Sequence, residues 1–327
     1  MSKPVIFSGI QPTGNLHLGN YLGAVKNWVE LQNSGKYQMY IFIADLHSLT
    51  GNQTAEERRN QTMITTAELL AAGIDPHKVC FFLQSDIQEH TELMWILSSI
   101  TSVAELERMT QFKDKSQKQA KNVNAGLLTY PILQAADVLL YHATLVPVGK
   151  DQVQHLELTN DILRWFNKRY SEYFTEVKPL LTPTPKIMSL LDPSKKMSKS
   201  LGPSYVIELA DEPEVITNKL KKAVTATEGG DNSPGAQNLL LLLKEFGSKE
   251  VYEQFSQAEK NKTIRYGDLK KELAEAIGNH FTEFRKRRTE LLAHPKKLLE
   301  IVEHGRVEAQ KVAQKTMHEV RKLVGLR

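Results

Sequence analysis

Two short motifs about 180 residues apart carry the residue types that can do chemistry on phosphates. Near the start, Phe7-Ser8-Gly9-Ile10-Gln11-Pro12-Thr13-Gly14 runs into His17-Leu18-Gly19-Asn20. An apolar run that ends in a glycine-rich turn and opens a helix presents backbone N–H groups, and the positive end of the helix dipole, to an anion. Gly9 and Gly14 let the backbone turn tightly and approach a ligand, and Gly19 lets a nucleotide lie against the first helical turn. Downstream, Lys196-Met197-Ser198-Lys199-Ser200 offers two ammonium groups on flexible stems, two hydroxyl donors and one apolar anchor. The pair points to ATP chemistry in which the α-phosphorus is attacked and pyrophosphate leaves. Such a step asks for in-line placement and for cations that bind more tightly as charge moves to the leaving group. The first motif is not a P-loop, because Asn20-Tyr21 stands where Lys-Ser/Thr is required, and its glycines recur every five residues rather than as G-x-G-x-x-G.

A third group lies between them. Tyr130, Gln134, Asp137 and Tyr141 fall at i, i+4, i+7 and i+11 of an otherwise apolar stretch, so they share one helix face. That face is either a polar stripe in water or the wall of a pocket. Lys113, in the polar Lys-rich segment 113–124, is a further candidate for contact with pyrophosphate or with the acceptor end of a nucleic acid.

The elements that must position these residues can be read from hydrophobic period and punctuation. Residues 4–9, Tyr40–Ala44 and Val79–Leu83 are short apolar runs expected to be buried strands. Leu18, Leu22, Val25 and Val29 recur at helical spacing after the first. Thr54-Ala55-Glu56-Glu57 has the form of a capping box opening a helix that ends near Gly73. A helix is expected from about 127 to 142, a short strand through Val146-Pro147-Val148, and a helix capped by Asp151 and carrying Val153, Leu156, Leu163 and Phe166. The three prolines of 178–186 suggest a linker, and the pattern after 202 is helical throughout. Strands alternating with helices imply an α/β fold: a Rossmann-like, doubly wound parallel sheet with a C-terminal all-helical region. The expected division is 1–203 for the catalytic domain and 204–327 for the helical one.

With 327 residues, 41% hydrophobic and 24% charged, the chain suits one large α/β unit with a smaller attachment. It has no apolar run of 18 residues, and its start resembles neither a signal peptide nor an Arg-rich transit sequence, so a cytoplasmic location is expected. The single Cys80, in an apolar run, rules out an intrachain disulfide and a Cys-based zinc site. The net charge of +4 is uneven: residues 281–327 hold 12 Lys/Arg against 6 Asp/Glu, a net of +6, leaving −2 for the rest. Within that tail, Arg285-Lys286-Arg287-Arg288 is either a solvated helix face or a footprint for nucleic-acid phosphates.

The two motifs resemble the HIGH and KMSKS signatures of class I aminoacyl-tRNA synthetases. FSGIQPTG, ERMTQFK (107–113), GLLTYP with AAD (126–137), VPVGKDQ (146–152), HLELT (155–159) and IMSLLDPSKKMSKS (187–200) resemble the tryptophanyl branch in particular. These blocks cover scattered parts of the first 200 residues. The resemblance implies a ligase that activates L-tryptophan with ATP and passes it to tRNA, with Mg²⁺ carried on ATP and no zinc or organic cofactor. A homodimer is also implied.

By the same resemblance, ATP is held by Gln11, Pro12, Thr13, Gly19 and Asn20, by Gly149, Lys150 and Asp151, and by Ile187 with the loop Lys196, Met197, Ser198, Lys199 and Ser200. His17, Gln11, Lys196 and Lys199 act in the reaction. Tyr130 and Gln152 hold the amino-acid backbone, Phe7, Val146 and Val148 sandwich the ring, and Gln134 stands where bacterial members commonly have Met. Asp137 takes the indole N–H, a lone donor that is costly to bury without an acceptor. His47, at the end of the second strand, would help shape the pocket. The rivals are a tyrosyl-tRNA synthetase, another nucleotidyltransferase with an HxGH-type turn, and a synthetase-like RNA-binding protein without catalysis.

Overall fold

The computed structural model describes residues 3–113, 123–149, 152–181, 185–225 and 233–327. Five parallel strands, β1 (Val5–Ile10), β2 (Gln38–Ile43), β3 (Cys80–Leu83), β4 (Leu145–Val148) and β5 (Lys178–Leu181), form one sheet in the order β3-β2-β1-β4-β5. Pairing places Phe7 beside Tyr40, Tyr40 beside Cys80, and Ile6 beside Leu145. The strand order reverses direction between β1 and β4. Loops leaving these two strands therefore diverge, and they open a crevice at the carboxyl ends of the strands.

Because successive strand residues point to opposite faces, the strands feed two cores. Ile6, Met39, Ile41, Ile43 and Phe81 face one side, and Phe7, Tyr40, Phe42 and Phe82 the other. The first side is covered by α1 (Leu18–Asn20), a π-helical turn over Tyr21–Val25, α2 (Lys26–Ser34) and, beyond the short α3 (Asp45–Ser48), by α4 (Ala55–Ala71). The Thr54 capping box is present: its hydroxyl accepts the Glu57 N–H at 3.2 Å and its own N–H donates to Glu57 at 2.8 Å. The second side is covered by α5 (Glu89–Ser98), α6 (Val103–Arg108), α7 (Ala125–Leu140) and α8 (Val153–Arg169).

Two expectations need correction. Lys178–Leu181 is a strand paired with β4, not the start of a linker. Pro179 is accommodated because β5 lies at the sheet edge, where one side of the ladder makes no hydrogen bonds. The helix expected over 127–142 is α7, which starts at Ala125, where Asn124 accepts the Leu127 N–H at 2.9 Å. The expected cap at Asp151 lies outside the described residues.

After residue 203 come α9 (Pro213–Lys222), α10 (Pro234–Phe246), α11 (Lys249–Lys260), α12 (Tyr266–His280), α13 (Thr282–Ala293) and α14 (Pro295–Val324). Leu220, Leu242, Leu269 and Phe284 from this region join the first core. The 30-residue α14 crosses the edge of the sheet, so that Leu298 and Val302 lie in the first core while Ala309, Ala313, Met317 and Val320 lie in the second. At the crossing, a Cβ placed on Gly305 would collide with the Phe81 carbonyl oxygen, so only glycine allows the helix and β3 to meet. Cys80 donates from Sγ to the Gly305 carbonyl at 3.3 Å, and burial pushes its thiol up to about 12. It is a structural thiol rather than a nucleophile.

Candidate active site

The crevice between β1 and β4 is a cleft of about 840 Å³ with an apolar end and a cationic end. Of the residues expected to bind ligand, Phe7, Gln11, Gly19, Asn20, Tyr130, Gln134, Asp137, Val146, Val148, Gly149, Gln152, Ile187 and Lys196 all line it. They come from stretches up to about 190 residues apart, and the switch point brings them to one place. Lys150 and Asp151 lie outside the described residues.

At the cationic end, His17 is the N-cap of α1. Its Nδ1 accepts from the N–H groups of Gly19 (3.0 Å) and Asn20 (3.3 Å), while its own backbone N–H donates to the Asn20 side chain at 3.2 Å. Burial, then Lys199 and Lys196, lower its pKa from 6.5 to about 4. His17 is thus neutral at physiological pH, with Nδ1 occupied by the helix amides and the proton on Nε2. In this state the ring caps the helix through Nδ1 and carries no charge.

The Lys196–Ser200 loop docks on this turn as a hairpin. The Met197 N–H donates to the Ile187 carbonyl at 2.9 Å, and the Ser189 N–H donates to the Lys195 carbonyl at the same distance. Met197 is buried in the first core with Leu16 and Leu18, so it anchors the loop. Lys196 is exposed and lines the cleft. Lys199 lies over Gly14: its Nζ would be 2.8 Å from a Cβ on that glycine, whose φ of +115° suits no other residue well. Burial lowers the Lys199 pKa from 10.5 to about 8, with Glu208 and Glu68 opposing the shift. Ser198 and Ser200 hydrogen-bond to each other at 2.9 Å. The residues after the loop pair back onto the first motif: the Leu18 N–H donates to the Ile207 carbonyl at 3.0 Å, and the Leu209 N–H to the Leu16 carbonyl at 2.8 Å. Pro12 is buried, with its carbonyl accepting from Gln53 at 3.0 Å, whereas Thr13 is exposed.

At the apolar end, Phe7 stacks on Tyr141 with ring centroids 5.1 Å apart and packs against Phe42 at 4.7 Å. Asp137, 1% exposed, closes this end. Its Oδ2 accepts from His47 Nε2 at 2.8 Å, and its Oδ1 accepts from His90 Nδ1 at 2.7 Å and Gln84 Nε2 at 2.8 Å. The other ring nitrogen of His90 meets the Tyr141 hydroxyl at 3.0 Å. Burial by itself would raise the Asp137 pKa, but the hydrogen bonds from His47 and His90 outweigh it and hold the carboxyl at about 2. A carboxylate offers about four lone-pair positions, so the three donors among the described residues leave one place, on Oδ2, for a further N–H. Tyr130, whose hydroxyl lies 3.0 Å from His155 Nε2, is pushed up to about 12 by burial and is a fixed neutral wall.

Tyr130, Gln134 and Asp137 therefore form a pocket wall, which resolves the two readings of that helix face; Tyr141 lies beneath it, bonded to His90. Sequence reading passed over His90 and Gln84. Gln84 directly follows the carboxyl end of β3, the position at which such sheets hold ligands, and that was the available signal. His90 left none, because a His on a helix is ordinary until Asp137 is placed beside it. Lys113 is exposed and is not among the lining residues, although Gln111 is. The basic run does not act as one face. Arg285 donates to the Gly278 carbonyl at 2.8 Å, and Arg288 Nε pairs with buried Glu68 at 2.9 Å, leaving Lys286 and Arg287 exposed. The physical reason is helical period: Arg285 and Arg288 share an inward face.

A doubly wound parallel sheet whose switch-point crevice holds a capping histidine and a lysine hairpin defines a nucleotide-using α/β enzyme. A family model described as tRNA synthetases class I (W and Y) matches residues 1–282, and the chain belongs to that family. It is 43% identical over 330 residues to the tryptophan–tRNA ligase of Clostridium tetani, covering 99% of this chain and 96% of that one. It is 44% identical to the corresponding ligase of Wolinella succinogenes, with 100% of each chain covered. Among solved structures, the tryptophanyl-tRNA synthetase of Campylobacter jejuni complexed with ADP and tryptophan superposes with a TM-score of 0.87 at 34% identity, covering 98% of this chain and 100% of that one. The tyrosyl-tRNA synthetase of Archaeoglobus fulgidus, at 23% identity and a TM-score of 0.70 over 88% of this chain and 90% of its own, shares the fold.

Proposed function

We propose that this chain is a tryptophan–tRNA ligase, which activates L-tryptophan with ATP to tryptophanyl-adenylate and then transfers the amino acid to tRNA. One observation carries the choice of amino acid: a buried, ionised Asp137 with one acceptor position left, facing an apolar slot lined by Phe7, Val146 and Val148. Indole is a flat apolar body with a single N–H, and this slot offers a flat apolar space with a single acceptor. An amino acid lacking that N–H leaves the buried carboxylate short of a partner, which is the stronger kind of discrimination. Full-length identity above 40% to tryptophan–tRNA ligases supports the same choice, whereas the likeness to a tyrosyl enzyme extends to fold alone.

The amino-acid carboxylate attacks the α-phosphorus; the bond to the β-phosphate oxygen breaks, and pyrophosphate takes the electron pair. Gln11, Gly19 and Asn20 hold the nucleotide against the start of α1. His17 donates from Nε2, and Lys196 and Lys199 supply the charges that grip the leaving group. Mg²⁺ arrives on ATP: the donors at this end are ammonium, amide and imidazole N–H groups, which suit phosphate oxygens. Tyr130 and Gln152 fix the ammonium and carboxylate of tryptophan, with Gln134 on the wall. Lys150 and Asp151, which lie outside the described residues, are assigned to the nucleotide by the family resemblance alone. We assign 1–203 to catalysis and 204–327 to tRNA, with Lys286 and Arg287 as contacts to RNA and Lys113 as a contact to pyrophosphate or the acceptor end. The enzyme acts as a cytoplasmic homodimer. No helix among the described residues is long and apolar enough to cross a membrane.

Tryptophan-dependent ATP–pyrophosphate exchange, run beside tyrosine, tests this reading. Exchange with tryptophan alone is expected. Exchange with tyrosine alone moves the assignment to the tyrosyl branch, and exchange with neither, in folded enzyme with Mg²⁺, overturns it.

A further inference from the structure

Glu68 has no part in the chemistry described above, yet it is among the most completely buried charged groups in the fold, with no exposed surface. It sits in α4 and has two partners from distant parts of the chain. Its Oε2 accepts the Leu16 N–H at 2.6 Å, and its Oε1 accepts Arg288 Nε of α13 at 2.9 Å. A buried carboxylate without partners would be costly, and burial does raise its pKa, with the Leu16 amide and Arg288 opposing that rise. Leu16 immediately precedes His17, and its carbonyl is held on the other side by Leu209. The turn that carries His17 is therefore clamped between Glu68 and the strand-like segment that follows the lysine loop. The Glu68 charge also acts favourably on the Lys199 ammonium.

We propose that Glu68 and Arg288 are a positioning pair for the ATP site: Arg288 holds Glu68, Glu68 holds the Leu16 amide, and the seat of α13 thereby sets the height of the His17 turn under the phosphates. This rests on reading the cationic end of the cleft as the phosphate subsite. The link is directional in consequence. A change that shifts the inward, Arg288-bearing face of α13, outside the cleft, alters nucleotide binding, while the tryptophan slot, built on β1, β4 and α7, keeps its shape.

The test uses the full-length enzyme carrying Glu68→Gln or Arg288→Lys. The first removes the charge and leaves a single amide oxygen to serve two donors. The second keeps the charge but loses the Nε geometry. For each folded variant, KM for ATP in pyrophosphate exchange should rise about tenfold, while the dissociation constant of tryptophan stays within about twofold. Amide hydrogen exchange in the segment 13–20 should quicken, with the segments of α7 and β4 unchanged. Variants that melt lower but keep the wild-type KM for ATP and the wild-type exchange in 13–20 would overturn the pair's positioning role. So would a parallel rise in KM for both substrates. The amide-exchange measurement does not depend on catalysis, so a wild-type enzyme lacking pyrophosphate exchange would unseat the functional reading while the pair is still judged.

Discussion

The Lys199 ammonium lies against Gly14, so close that a Cβ on this glycine would stand 2.8 Å from Nζ. The lysine loop and the glycine turn, 185 positions apart, are thus parts of one surface. Alanine at position 14 meets two penalties: a φ of +115°, and contact with the lysine stem. The first costs about 1–3 kcal/mol of stability. The second displaces the ammonium. Gly14→Ala is expected to lower kcat/KM for ATP by about tenfold or more with the dissociation constant of tryptophan unaltered. Lys199→Ala should do the same through kcat; steady-state pyrophosphate exchange with either variant matching wild type would refute the contact's importance.

The pH dependence follows from two lowered pKa values. Lys199 must carry its proton to grip phosphate, and it loses it as pH rises through about 8. Activity at low ATP should therefore fall on the alkaline side near that pH. At saturating ATP the limb should move higher, because bound phosphates favour the charged form. A profile flat to about pH 10 would contradict this, since an unperturbed lysine titrates there.

His17 acts on stability instead. Its pKa is about 4 in the fold against 6.5 as an ordinary histidine, so between these values the unfolded chain binds a proton that the native state refuses. Its contribution is complete above pH 6.5 and is lost as pH falls toward 4, by about 3 kcal/mol in all. A His17→Asn variant, which keeps a capping side chain, should lose less stability than wild type on acidification across that window. Chemical denaturation at several pH values measures the difference, and parallel curves would defeat the assignment.

Asp137→Asn replaces an acceptor for three donors by a group that is itself half donor. At least one of His47, His90 and Gln84 is then left facing an N–H. The expected result is a KM for tryptophan raised about a hundredfold and a loss of roughly 3 kcal/mol in stability, since breaking a buried charged network leaves its partners unpaired. Calorimetric titration with tryptophan checks the first, and thermal melting the second. Wild-type affinity would remove Asp137 from the indole site.

Lys286 and Arg287 are the exposed half of the basic run. Reversing both charges should weaken tRNA affinity, with a shallower dependence on salt, while pyrophosphate exchange without tRNA stays unchanged. Equal tRNA affinity at low salt would return these residues to the solvated face.

Much of this was written locally. The strand runs, the Thr54 cap, the helix after Gly14 and the two lysines follow from hydrophobic period and short-range chemistry, which neighbours in sequence determine. Family resemblance carried residue roles onto Asp137, Gln11 and Lys199. The tertiary structure alone decided what depends on distant partners. Asp137 is held ionised, against the effect of its burial, by His47 and His90, which converge on it from distant elements. His17 is neutral because burial and two lysines outweigh its preference for a proton. Arg285 and Arg288 turn inward because buried acceptors await them, and Pro179 sits in a strand because that strand is an edge. A charge's value is set by the whole of its surroundings, and no local pattern contains these.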